Sequence, residues 1–297
     1  MSIFLSGLSA FPITPANAEG RVNVPALRRL LAPLCMAGVN SIGLLGSTGT
    51  YPFLSRAERR RALDAGLEEA GALPIVVGVG ALRTDEAVRL AQDAQAAGAA
   101  AGLLAPVSYT PLTDDEVYEH FVTVARESGL PLCIYDNPGT THFRFSLALV
   151  GRLSQIPGVI AIKSPSPEAQ AASSHLAELR LVVPDGFSLG YSVDWLSIEP
   201  MIAGGHCWYS VIGGIFPQIG MSIVRAVENG HFDEARRLNA HLEPLWTLFR
   251  KFSSLRVVYA CADVMGICSA EPPRPILPLT VGARQQVVDA LEEIKLI

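Results

Sequence analysis

Lysine is scarce in this sequence, with 3 copies in 297 residues beside 20 arginines. Where a plain surface cation serves, the chain uses arginine. Charged residues make up only 17%, and the net charge of −5 leaves no surplus of cations. That balance excludes nucleic acid, whose phosphates need clustered Lys and Arg. The one basic run, Arg56 with Arg59, Arg60 and Arg61, sits among Glu58, Asp64 and Glu68 and reads as a solvated helix face with i,i+4 pairing. The five cysteines form no CxxC pair and no ligand-like spacing with the six histidines. Neither a zinc site nor a disulfide framework is expected, and an odd count in apolar surroundings points to reduced thiols and a cytoplasmic protein. Uninterrupted apolar runs are missing too. Residues 3–13 are mostly apolar, but no basic segment precedes them, so a first strand is expected rather than a signal. The stretch "MIAGGHCWYSVIGGIFPQIGMSIV" approaches the ~20 residues of a bilayer span. His206, two glycine pairs and Pro217 divide it into strand, turn and helix, and a soluble protein is expected. No GxGxxG follows the first β-rich run, which argues against a dinucleotide-binding doubly wound sheet.

What the sequence does have is rhythm. Short β-rich runs recur at 4–9, 41–45, 74–79, 101–105, 132–135, 159–163, 179–184 and 206–210, with helix-period segments between them. Helix starts are marked by the box Ser55-Arg56-Ala57-Glu58 and by Thr84 and Thr113 before acidic first turns. Helix ends are marked by glycine, as in "MAGVN", "AAGAAA" and "ESGLP". The runs are apolar at nearly every position, as strands are when helices cover them. Eight such units predict an α/β fold, an eight-fold (β/α) TIM barrel over residues 1–230. Residues 231–297, helical with the proline-rich joint "EPPRPILPL", are expected as a C-terminal helical appendage.

Lys163 ends the sixth run, Val159-Ile160-Ala161-Ile162. The C-terminal ends of barrel strands carry active sites. Alternation along a strand puts Val159, Ala161 and Lys163 on one face, with Ile160 and Ile162 on the other beneath the helices. Lys163 then points into the barrel mouth, where burial favours a neutral, nucleophilic amine that arginine could not supply. A strand-end lysine can equally snorkel into solvent, and the segment alone does not decide. Two further stretches bear on it. "GLLGSTGTYP" is a glycine-flanked loop whose backbone N–H groups, with the Ser47 and Thr48 hydroxyls, suit a small carboxylate, although serine-glycine loops are also ordinary turns. "IYDNPGTT" ends the fifth strand with Tyr135, either a proton relay or a tyrosine capping a core.

Taken in order, these residues resemble the dihydrodipicolinate synthase/N-acetylneuraminate lyase family of lysine Schiff-base aldolases. The likeness spans nearly the whole chain: Thr14-Pro15 after strand one, "GSTGT" for G-[ST]-T-G-E, "YDNP" for Y-N-x-P, "IK" in strand six, "GGH" before strand eight and "RPILPL" near the end. The resemblance implies a lyase acting on pyruvate or a related 2-oxo acid and an aldehyde, with Lys163 forming the imine and no cofactor beyond it. It implies Tyr135 as proton donor and acceptor, Thr48 as the link of Tyr135 into a relay, and Ser47 with Thr48 holding the 2-oxo acid carboxylate. Tyr209 falls where the family offers a strand-eight backbone carbonyl. The relay often includes a tyrosine from a neighbouring subunit, for which Tyr109 or Ser108 is the match, and this implies a homodimer or homotetramer.

One departure matters for substrate. The synthase proper has an arginine shortly after the strand-five tyrosine, where this chain has Thr140 between Gly139 and Thr141, with Arg144 further on. Thr50 likewise replaces the loop glutamate. A hydroxyl lacks the charged, bidentate grip of a guanidinium. The expectation is therefore an aldolase or related lyase for substrates such as 2-keto-3-deoxy sugar acids, with hydroxyls that Thr140 and Thr141 bind. The alternatives are the synthase proper, a 2-keto-3-deoxy acid dehydratase, or a barrel that binds 2-oxo acids without turnover.

Overall fold

The computed structural model describes residues 5–297, so Phe4 of the expected first strand lies outside the described residues. Eight short strands follow in chain order: β1 (Gly7–Ala10), β2 (Ser41–Leu44), β3 (Ile75–Gly78), β4 (Ala101–Leu104), β5 (Leu132–Tyr135), β6 (Val159–Pro165), β7 (Ser188–Ser192) and β8 (Cys207–Ser210). Each pairs in parallel with the next, and β8 pairs with β1 to close the barrel. The helices of the barrel are α1 (Val24–Ala37), α2 (Arg56–Ala70), α3 (Thr84–Ala97), α4 (Asp114–Ser128), the single turn α5 (Pro138–Thr141), α6 (Leu147–Ser154), α7 (Ala172–Val182), α8 (Ile198–Ile202) and α9 (Pro217–Glu228). Four more follow: α10 (Phe232–His241), α11 (Glu243–Phe252), α12 (Ser254–Val264) and α13 (Val281–Glu293). Among the described residues no helix is long and apolar enough to cross a membrane, and all five cysteines are free.

Two apolar layers hold the fold. One lies between sheet and helices; the other fills the barrel with Val76, Ala101, Leu103, Cys133, Ala161 and Cys207. Local signals agree with this where they are strongest. The Thr113 hydroxyl and the Glu116 carboxylate form a reciprocal box at the start of α4. At α2 only half of the expected box forms. Ser55 caps Glu58, but the Glu58 carboxylate accepts from the Val22 N–H at 2.7 Å instead.

Three expectations need correction. The run 179–184 is the end of α7, not a strand: Leu176 and Leu179 are buried one turn apart while Leu181 is 85% exposed. The real β7, "SLGYS", is poor in β-branched residues because it must be slim: a Cβ on Gly190 would come within 2.4 Å of the Tyr209 ring. In β6 the register shifts, Leu132 pairing Val159 and Cys133 pairing Ala161, so one residue is extra. Val159 therefore packs outward and Ile160 packs against the interior, the reverse of simple alternation, while Ala161 and Ile162 fall as expected. Finally, the basic run is not wholly solvated. Arg56 pairs with Asp93 at 2.5 Å and Arg60 with Asp64 at 2.7 Å, but Arg59 is buried, donating to the carbonyls of Gly78 (2.8 Å) and Gly80 (3.1 Å).

Candidate active site

The register of β5 and β6 sets Tyr135 beside Lys163, and that of β6 and β7 sets Gly190 on its other side. Lys163 is 4% exposed, so it does not snorkel. Its Nζ lies 3.9 Å from the centroid of the Phe11 ring, 4.5 Å from that of Tyr135 and 5.7 Å from that of Tyr209. Glycines make room for these rings. Beside Gly190, which clears Tyr209, Gly43 in β2 lies where a Cβ would meet the Phe11 ring at 2.2 Å. Faces of aromatic rings stabilise positive charge, in an ammonium or in a protonated imine.

Two thiols and a phenol beside this amine stay neutral. Burial pushes the Cys133 thiol up to about 12 and raises those of Cys207 and the Tyr209 phenol as well. The Tyr209 hydroxyl lies 3.5 Å from Cys133 Sγ. Asp194 is fully enclosed, and burial raises its carboxyl to about 6 against the opposing pull of its N–H partners and of the Lys163 charge. It accepts from the Ile212 N–H (2.7 Å), the Trp208 indole (3.0 Å) and the Val211 N–H (3.3 Å), which tie the start of the loop after β8 to the strand. No carboxylate lies within ion-pair distance of Lys163 among the described residues. Nor, among these residues, does any group of three His, Cys, Asp or Glu stand where it could hold a metal ion.

The Tyr135 hydroxyl donates to Ser47 Oγ at 3.0 Å and accepts from Asn137 Nδ2 at 2.9 Å. The link expected through Thr48 is therefore made by its neighbour. Leu45 and Thr50 both hold φ of 54°, the left-handed turns that shape the loop carrying Ser47 and Thr48 after β2. Thr48 is buried and, with Ser47 and Asn137, lines a cavity of about 570 Å³, a size ordinary for small-molecule sites. Thr140 and Thr141 also line it, but each hydroxyl donates its proton to the Asn137 carbonyl, at 3.2 and 3.1 Å. They can accept from a ligand more readily than donate to one. Arg144 is not among the lining residues; it lies near Asp136, whose carboxyl burial raises to about 6 and Arg144 draws back down. Tyr109 is 98% exposed and takes no part in its own chain's site, and the Ser108 hydroxyl donates to the Thr110 carbonyl.

Sequence reading missed three residues here. Phe11 gave no signal beyond following the first strand. Asn137 lay inside the recognised "YDNP" without a role. Arg256, on α12, lines the same cavity together with Ser253 and Ser254; nothing in its local sequence distinguishes it from any helix arginine.

Comparison with known proteins covers nearly the whole chain. Residues 4–294 match the Dihydrodipicolinate synthetase family. A 4-hydroxy-tetrahydrodipicolinate synthase from Methylococcus capsulatus is 33% identical over 282 residues, covering 94% of this chain and 95% of that one. One from Thiobacillus denitrificans is 33% identical over 96% of this chain and 95% of the other. A crystal structure from Agrobacterium tumefaciens, described as dihydrodipicolinate synthase, superposes with a TM-score of 0.95 at 51% identity, with 98% of each chain covered. A buried strand-end lysine facing a hydrogen-bonded tyrosine across one strand pair, in a closed eight-fold barrel matched end to end, leads to one conclusion: the chain belongs to the dihydrodipicolinate synthetase family and is a lyase.

Proposed function

We propose that the chain is a Schiff-base carbon–carbon lyase acting on pyruvate or a related 2-oxo acid, with Lys163 as the imine-forming amine. The observation that carries this reading is the position of Lys163 Nζ, enclosed by three aromatic faces and 4.5 Å from the ring of Tyr135, whose hydroxyl is held by Ser47 and Asn137. The amine adds to C2 of the 2-oxo acid and releases the carbonyl oxygen as water, giving a protonated imine. Loss of a C3 proton gives an enamine, whose electron pair forms the bond to the aldehyde carbon as its oxygen takes up a proton. In the cleavage direction the iminium receives the pair of the C3–C4 bond while the C4 hydroxyl gives up its proton and leaves as the aldehyde. Hydrolysis returns the amine. Tyr135 supplies and accepts these protons, and the Ser47–Thr48 loop holds the carboxylate of the 2-oxo acid. The chemistry asks for no cofactor besides the imine. A dimer or tetramer would let Tyr109 or Ser108 reach the site of a second copy.

The test is reduction with borohydride in the presence of pyruvate, followed by peptide mapping, with a retro-aldol screen of 2-keto-3-deoxy acids alongside. An adduct on Lys163 supports the reading; an adduct elsewhere, or none, refutes it. The second reading, the synthase proper, is favoured by the names of the 33% identical relatives and opposed by Thr140 in place of the arginine. Condensation with aspartate semialdehyde, run in the same screen, separates the two.

A further inference from the structure

The cavity lined by Ser47, Thr48 and Asn137 contains one charge. Its lining is otherwise neutral, and Arg256 alone among those side chains is ionic. Arginines elsewhere in the C-terminal helices are paired, Arg284 with Asp263 and Arg250 with Glu243. Arg256 makes no ion pair among the described residues. Its Nε donates to the Leu277 carbonyl at 3.3 Å and its Nη1 to the Phe252 carbonyl at 3.4 Å. Those two bonds fix the plane of the guanidinium and leave about three of its five N–H donors unused. The backbone turn that presents it is unusual: Ser253, between α11 and α12, holds φ at 74°, a value that favours glycine.

An unpaired, pre-positioned guanidinium in a neutral cavity is a receptor for an anion. The 2-oxo acid's own carboxylate is assigned to the Ser47–Thr48 loop. Arg256 reaches the same cavity from far along the chain, at the α11–α12 junction. We propose that Arg256 binds an anionic group, a carboxylate in the first instance, at the end of the aldehyde partner remote from its carbonyl. The substrate class is then the aldehydic acids and, in cleavage, 2-oxo diacids rather than neutral sugar-derived aldehydes. This rests on the Schiff-base reading above and sharpens it, since Thr140 and Thr141 alone would select for hydroxyls.

The experiment compares two aldehydes that differ mainly in the terminal charge, 4-oxobutanoate and butanal, with pyruvate as the 2-oxo acid, in the wild type, Arg256→Met and Arg256→Lys. The wild type should prefer the carboxylated aldehyde by roughly 10²-fold in kcat/KM, the scale of a charge-assisted, bidentate contact. Arg256→Met should lose that preference through KM, and Arg256→Lys should retain a part of it as a point charge. Borohydride trapping of pyruvate on Lys163, measured in all three, reports separately on the imine chemistry and on whether the variants fold. If trapping is normal but the wild type shows no charge preference, or Arg256→Met keeps it, the assignment to Arg256 is overturned while the Schiff-base reading stands. Absence of trapping in the wild type overturns both. Should Arg256→Met fail to trap pyruvate, Arg256→Lys decides, and an undiminished preference there refutes a bidentate grip.

Discussion

Replacing Tyr135 by Phe removes one oxygen and tests the centre of the mechanism. The ring fills its place 4.5 Å from Lys163 Nζ, so enclosure of the amine is preserved. The loss is the hydroxyl that donates to Ser47 and accepts from Asn137 at 3.0 and 2.9 Å. Two neutral hydrogen bonds are worth about 0.5–1.5 kcal/mol each. Because Ser47 and Asn137 line the cavity and can turn to water there, the stability cost should sit at the low end, about 1 kcal/mol in total. Catalysis should suffer far more. A positioned general acid–base contributes roughly 10²–10⁴-fold, or about 3–5 kcal/mol of barrier at 1.36 kcal/mol per decade. The assay is single-turnover imine formation with pyruvate beside steady-state retro-aldol cleavage and a thermal melt. Turnover within threefold of wild type, in a folded variant, would remove Tyr135 from the proton path. Ser47→Ala should then slow turnover more than Thr48→Val, because Ser47 makes the contact; the opposite order would return the relay to Thr48.

The other expectations are simpler. Lys163→Arg should be as inactive as Lys163→Ala in the trapping assay, because a guanidinium keeps its charge and does not attack a carbonyl; measurable adduct on Lys251 or Lys295 would contradict this. Gly190→Ala should destabilise by about 2–3 kcal/mol or more in urea melts, since its Cβ would lie 2.4 Å from the Tyr209 ring and 2.8 Å from the Cys207 carbonyl; a neutral effect would mean Tyr209 moves freely. Asp136→Asn should stabilise at neutral pH and not near pH 4. The folded carboxyl is raised to about 6 from 3.8, so the unfolded chain ionises first and the group's favourable contribution, full at low pH, is lost as pH rises through about 6. The gain should be roughly 1–3 kcal/mol above that range, and equal gains at both pH values would place the cause outside ionisation.

The barrel was legible because its signals are periodic and repeated. Seven of eight strands and the helix start at Thr113 follow from local pattern, and Lys163 closes β6's apolar run, although that run alone left open whether the amine is buried or solvated. The failures share a cause. The run 179–184 has strand composition, but the spacing of Leu176 and Leu179 buries a helix face, and only tertiary packing decides between them. The β6 shift, which moves Ile160 inward, is set by pairing with β5 and has no mark in β6 alone. Arg59 looks like its neighbours in the basic run, yet backbone carbonyls at the end of β3 and just after it draw it inside. Ser47 and Thr48 are adjacent and chemically alike, so the sequence could not tell which one meets Tyr135; the hydrogen bond goes to Ser47.

Distance along the chain separates two kinds of residue at this site. The groups proposed to make and break bonds come from β2, β5 and β6 or the first residues after them, where parallel pairing fixes Tyr135 against Lys163 within one register. Parallel pairing ties their geometry to the barrel itself, so Tyr135 and Lys163 keep their places together as long as the barrel stays closed. The groups that would meet the rest of the aldehyde come from elsewhere: the single turn α5, and the α11–α12 junction with Ser253 and Arg256. These rest on loops and helix ends, which tolerate change. Thr140 can therefore be uncharged while Arg256, more than a hundred residues away, brings a cation to the same cavity with the reacting centre untouched. The second substrate therefore has to be read from the residues that line the cavity, where Arg256 carries the one charge.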